Sequence, residues 1–97
     1  MYRNKQLLEI VRKSPCQHCG IEDGSVVAAH SNQLRDGKGR GIKSSDAMIA
    51  ALCNNCHMEI DQGSKLSKQE RVEFWEEAHR KTIGWLFENN LLSVKPY

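Results

Sequence analysis

Two cysteine pairs and three histidines carry most of the chemistry open to this chain. Cys16-x-x-Cys19 and Cys53-x-x-Cys56 are its only four cysteines. Two intervening residues let both thiolates of a knuckle face one ion. Two such knuckles complete a tetrahedral shell of four thiolates, the closed form of structural Zn²⁺. The 33 residues between the pairs would be held as one loop closed by the metal. Two disulfides or four free thiols are the alternatives, and a reduced compartment disfavours the first. With the shell full, His57, directly after Cys56, is surplus to the zinc. So is His18 inside the first knuckle, which reads as solvent-exposed filler.

His57 and Asp61 stand four apart in CNNCHMEID. On a helix both would project from one face. An imidazole and a carboxylate so placed can share one divalent ion, and oxygen ligands from water and phosphate would suit Mg²⁺ or Mn²⁺. The plain alternative is a surface ion pair. His30 lies between the knuckles, and Lys38, Arg40 and Lys43 follow it, spaced by glycines. That basic loop suits phosphate contact with little sequence readout; otherwise it is a solvated flexible loop.

These residues need elements to position them. Leu7, Leu8, Ile10 and Val11 recur at helical spacing, which predicts an amphipathic helix over residues 4–13, ended by Ser14-Pro15. SVVAAH reads as a short strand running into His30. Residues 31–45 hold three glycines and four basic residues and read as a mobile polar loop. IAAL, residues 49–52, fits a strand or a helical turn equally. NCHMEIDQ reads as a short helix stopped by Gly63. Ser67 and Glu70 have capping-box spacing, so a long helix starts there and runs to about Asn89, with Gly84 a weak point. Val72, Trp75, His79, Thr82/Ile83 and Leu86 trace one face of this helix, with Phe74, Ala78 and Trp85 beside it; Phe74, Trp75, Trp85 and Phe87 at helical spacing read as core, and His79 as structural. Glu70, Glu73, Glu76 and Glu77 would turn that helix away from any polyanion. The tail LLSVKPY could dock back or fray.

The chain's 97 residues suit one small domain, with a thin core that a metal often supplements. No stretch approaches the roughly 20 apolar residues of a membrane span. The N-terminus carries charges through its apolar part and lacks a small-residue cleavage site, unlike a signal peptide. A cytoplasmic location is therefore expected. Net charge is only +2, but residues 1–50 hold 8 basic and 5 acidic side chains against 6 and 7 in residues 51–97. A polyanion would meet the first half, near Arg3, Lys5, Arg12 and Lys13 and from Arg35 to Lys43.

The order of a CxxC knuckle, a strand ending in histidine, a Gly-rich loop, and a CxxCH knuckle entering a helix resembles the HNH, or His-Me finger, endonucleases. More narrowly, AAHSN, GKGRGIKSSD, AALCNNCHMEIDQG and FWEEAHRKT resemble small zinc-ribbon HNH proteins encoded by phages and prophages. The likeness covers residues 14–83. It implies an α+β fold, a zinc-stabilised ββα-metal core over about 14–63. An N-terminal helix and a long C-terminal helical extension over about 67–90 complete one domain, 1–97.

It also implies a metal-dependent endonuclease hydrolysing DNA phosphodiesters in a bacterial host cytoplasm. His30 falls at the general base, and His57 and Asp61 at the ligands of a catalytic Mg²⁺ or Mn²⁺. Ala29 stands where many such enzymes carry another ligand, and the Asn that orients the base has no clear counterpart. Asp46 lies near its place and either orients His30 or joins the metal shell; Asn32 is the other candidate. Asn32, Lys38, Arg40 and Lys43 are the expected DNA contacts. Phage resolvases of the endonuclease VII type share the two-CxxC layout, which suggests branched DNA as substrate. A homodimer, built on the helical tail, would suit double-strand cutting. The competing reading is a non-catalytic zinc module that binds DNA or serves phage recombination or replication.

Overall fold

The computed structural model describes residues 1–94. Its elements are α1 (Lys5–Val11), β1 (Val27–His30), a 3-10 turn (Leu34–Asp36), β2 (Ile49–Leu52), α2 (Asn54–Asp61) and α3 (Lys68–Glu88). The chain is thus α+β, with three helices and one two-stranded antiparallel sheet among the described residues. No described helix is long and apolar enough to cross a membrane. Of the tail expected to dock or fray, Leu92 packs on the core while Val94 is exposed; residues 95–97 lie outside the described residues.

Local sequence accounts for the helix starts. Asn4 caps α1 by accepting the Leu7 N–H at 3.0 Å. Ser67 caps α3, and its hydroxyl and the Glu70 carboxylate satisfy each other's backbone N–H groups. Helix α3 passes through Gly84 without a break. After α2, Gly63 is required by crowding, since a Cβ there would come within 2.5 Å of the Glu59 carbonyl.

IAAL, ambiguous by pattern, is a strand because VAAH is there to pair with it. Val27 faces Leu52, and His30 faces Ile49. All four β2 residues are fully buried. Two strands alone are marginally stable in water, and α3 supplies the missing partner. Its buried face is Trp75, Ala78, Thr82 and Leu86, close to the periodic face read from sequence. Three side chains on that face bond the sheet backbone. The Thr82 hydroxyl accepts the Ala51 N–H at 2.9 Å, His79 Nδ1 donates to the Ile49 carbonyl at 2.7 Å, and Trp75 Nε1 donates to the Ala29 carbonyl at 2.9 Å.

Thr82→Val keeps shape but strips the partner from a buried N–H, a loss that costs about 1–3 kcal/mol. Urea unfolding should show that drop, with Thr82→Ser recovering most of it. An unchanged midpoint would mean that the Ala51 N–H finds another partner.

Two expectations need correction. Phe87 is 47 % exposed because it falls on the outer face of α3, so it is not a core aromatic. Residues 31–45 are not a featureless loop. They form the 3-10 turn and a Gly39–Ile42 bridge, and they are tied together by Ser45 N–H to the Asp36 carbonyl and by Ser31 Oγ to Asp36.

Candidate functional site

The four cysteines converge. Their sulfurs all lie within 4.8 Å of one another, and Cys19 Sγ is 3.7 Å from Cys53 Sγ. Four thiolates at about 2.3 Å from a tetrahedral zinc would sit about 3.8 Å apart, so the cluster has the dimensions of such a shell. Gly20, at φ +81°, turns the first knuckle and returns its N–H to the Cys16 carbonyl. The knuckle also aims donors at sulfur. Burial pushes the Cys16 thiol up, but N–H groups of Cys19, Cys53 and His18 outweigh it and bring the pKa down to about 6. Burial dominates at Cys53 and Cys56, which are pushed up, Cys56 further by the neighbouring sulfurs. A cation is what would hold four such groups as thiolates together. His18 is exposed and stacks on Phe74 with ring centroids 3.9 Å apart, outside the cluster.

The second knuckle runs directly into α2, which carries the other histidine. His57 Nε2 lies 3.1 Å from Asp61 Oδ2 across one helical turn, with both side chains about one-third exposed. Two ligands at right angles on an octahedral ion, each about 2.1 Å away, lie about 3.0 Å apart. At 3.1 Å the two groups are in direct contact as an i,i+4 pair, the plain arrangement expected from sequence, and that separation is also compatible with two neighbouring ligands of one small ion. Asn32 Nδ2 approaches the other carboxylate oxygen at 3.4 Å. Among the described residues, the cysteine cluster is the only group of three or more His, Cys, Asp or Glu side chains close enough to hold a metal; His57 and Asp61 remain a pair.

His30 ends β1 and is held from one side. Its Nε2 is 2.7 Å from Asp46 Oδ1. A carboxylate can only accept there, so Nε2 carries the proton and Nδ1 keeps its lone pair. Asp46 is 4 % exposed. Burial pushes its carboxyl up, but bonds from His30, the Asn4 N–H and Arg3 outweigh that and hold it below the usual carboxylate range. Its contribution to stability is thus present above that range and is lost as pH falls through the lowered value. Of its two expected roles, the contact geometry matches orienting His30.

The support for Asp46 is what sequence reading missed. Asn4 N–H reaches Asp46 Oδ2 at 2.7 Å, Arg3 Nη1 reaches Oδ1 at 3.2 Å, and the Asp46 N–H donates to the Tyr2 carbonyl at 3.0 Å. Arg3 also donates to the Ser44 and Lys43 carbonyls. Its charge was read as part of a polyanion surface; its side chain is still 45 % exposed, but its guanidinium is engaged by these contacts within the chain. No spacing in the sequence signals a contact between residues 42 positions apart.

A pocket of about 250 Å³ joins the parts, lined by His30, Asn32, Lys38, Lys43, His57 and Asp61 and by the backbone side of β1. Arg40 is exposed on the turn beyond it and does not line it. Arg35 pairs with Glu76 at 2.6 Å, so the acidic face of α3 takes up one of the loop's cations. Comparison with known proteins found no matching family model, curated protein or solved structure.

Proposed function

We propose that this chain is a metal-dependent DNA endonuclease of the HNH kind, with a four-cysteine structural zinc site beside a separate catalytic pocket. The observation that carries the reading is the buried Asp46–His30 contact opening into the same pocket as the His57–Asp61 pair. Phosphodiester hydrolysis needs a base for the attacking water. His30 Nδ1 is that base, and Asp46, fixing the proton on Nε2, sets the tautomer and stabilises the imidazolium that forms. Lys38 and Lys43 draw the phosphate into the pocket. His57 and Asp61 would hold Mg²⁺ or Mn²⁺, which supplies charge stabilisation at the phosphate and at the departing 3′-oxygen. Two protein ligands would hold such an ion weakly, and the substrate phosphate would add to its binding. A zinc held by the four cysteines would do no chemistry; it would tie the first knuckle to the start of α2.

Supercoiled plasmid is expected to be nicked by zinc-loaded protein with Mg²⁺ or Mn²⁺. Nicking should stop on chelation and return with Mg²⁺ but not with Zn²⁺ alone. No nicking of plasmid or of branched DNA by folded protein would favour the second reading, a zinc-dependent DNA-binding module. That reading draws on the two-ligand character of the His57–Asp61 pair.

A further inference from the structure

A second groove, of about 600 Å³, adjoins the histidine pocket and shares Asn32 and Asp61 with it. We infer that it is a subsite for an unpaired nucleotide next to the scissile phosphate, so that the preferred substrate is single-stranded DNA or a duplex with displaced bases. This rests on the endonuclease reading for the position of the phosphate.

Four features point to a nucleobase. The groove walls include Leu34, Ile60 and Val72, with buried Trp75 among its lining, an apolar surface suited to the face of a flat ring. Leu34 is 82 % exposed on the 3-10 turn; folding gives it nothing to cover, whereas a base would cover it. The side-chain amides of Asn32 and Gln33, both among the lining residues, can donate and accept as a base edge requires. Lys68 and Arg71 supply positive charge for the flanking phosphate, and the glutamates expected to turn α3 from a polyanion, Glu70, Glu73, Glu76 and Glu77, are not among the residues lining the groove. Arg71 is already held by its bond to the Gly63 carbonyl, while its buried Nε lacks a partner among the described residues.

The volume falls within the roughly 300–1,000 Å³ typical of ligand pockets. Bases stacked in a duplex hide the faces that such a groove takes, and unpaired bases expose them. The groove therefore selects the state of the strand.

The test is fluorescence anisotropy with zinc-loaded His30→Ala protein, which binds without cutting. The probes are a labelled oligothymidine of about 10 nucleotides, within the usual site size for single strands, and a hairpin duplex of equal length. The single strand should bind about 10-fold more tightly. Val72→Phe, which fills the groove, should remove that preference. Lys68→Ala, at an exposed position that does not threaten folding, should lower the salt dependence of single-strand binding by about 0.7 in log–log slope. Equal affinity for both probes, or a preference untouched by both variants, would overturn the subsite. Plasmid nicking by the wild type separates the two claims. Nicking without strand preference removes only the groove, and strand preference without nicking removes only the endonuclease reading.

Discussion

His30→Ala is expected to lower plasmid nicking by about 10²–10⁴-fold, the usual contribution of a positioned general base, while leaving the fold and DNA affinity nearly intact. The imidazole is 16 % exposed and its one side-chain hydrogen bond among the described residues is to Asp46, so removing it also takes one partner from a buried carboxylate, and nicking is compared well below the lowered melting temperature. Asp46→Asn should fall in the same range for a different reason. The amide keeps the shape but no longer dictates which ring nitrogen holds the proton, and it loses the charge that balances an imidazolium. Asp46 is also bonded by Arg3 and the Asn4 N–H, so that variant should melt lower as well, and a matched circular-dichroism melt separates the two effects. Nicking retained by His30→Ala would show that the base is elsewhere.

Removing a metal ion from the four-cysteine cluster should have the largest effect of all. The buried core is small in content as well as in number: Ala29, Ala50, Ala51 and Ala78 stand beside Val11, Ile49, Leu52, Trp75 and Leu86. A domain of this size is marginal without reinforcement. A zinc site of this class is worth about 10–16 kcal/mol at neutral pH in small zinc-dependent peptides, against a typical net domain stability of about 5–15 kcal/mol. Stripping the metal with a strong chelator should therefore abolish the cooperative melt, and Cys56→Ser should fail to form the folded state. Re-adding Zn²⁺ should restore the melt, and Mg²⁺ should not. A stripped protein that still melts cooperatively at the same temperature would mean that the cysteine cluster is not what holds the two knuckles together.

Much of this was legible in the chain itself. Spacing alone placed the four cysteines in one shell, because CxxC constrains both thiolates locally and two copies leave little else for them to do. Helix starts were also legible, since caps act over three residues: Ser67 with Glu70 begins α3 as its pattern predicts. The face of α3 and the His57–Asp61 pair followed from helical periodicity, which is likewise local.

What only the tertiary structure decided involves partners far apart in sequence. IAAL became a strand because VAAH and the polar side chains of α3 satisfy its backbone, a requirement that no window of four residues contains. Phe87 stands outside the core because it lies on the outer face of α3, whereas the adjacent Leu86 is fully buried. Asp46 acquired its contact with His30 because the N-terminal segment closes over it. A carboxylate with three donors around it is oriented, whereas the same residue in an open loop would be solvated. Residue type and local spacing determined what chemistry was available. Burial and hydrogen bonding between distant segments decided which groups meet, because buried polar groups must find partners wherever the chain can bring them.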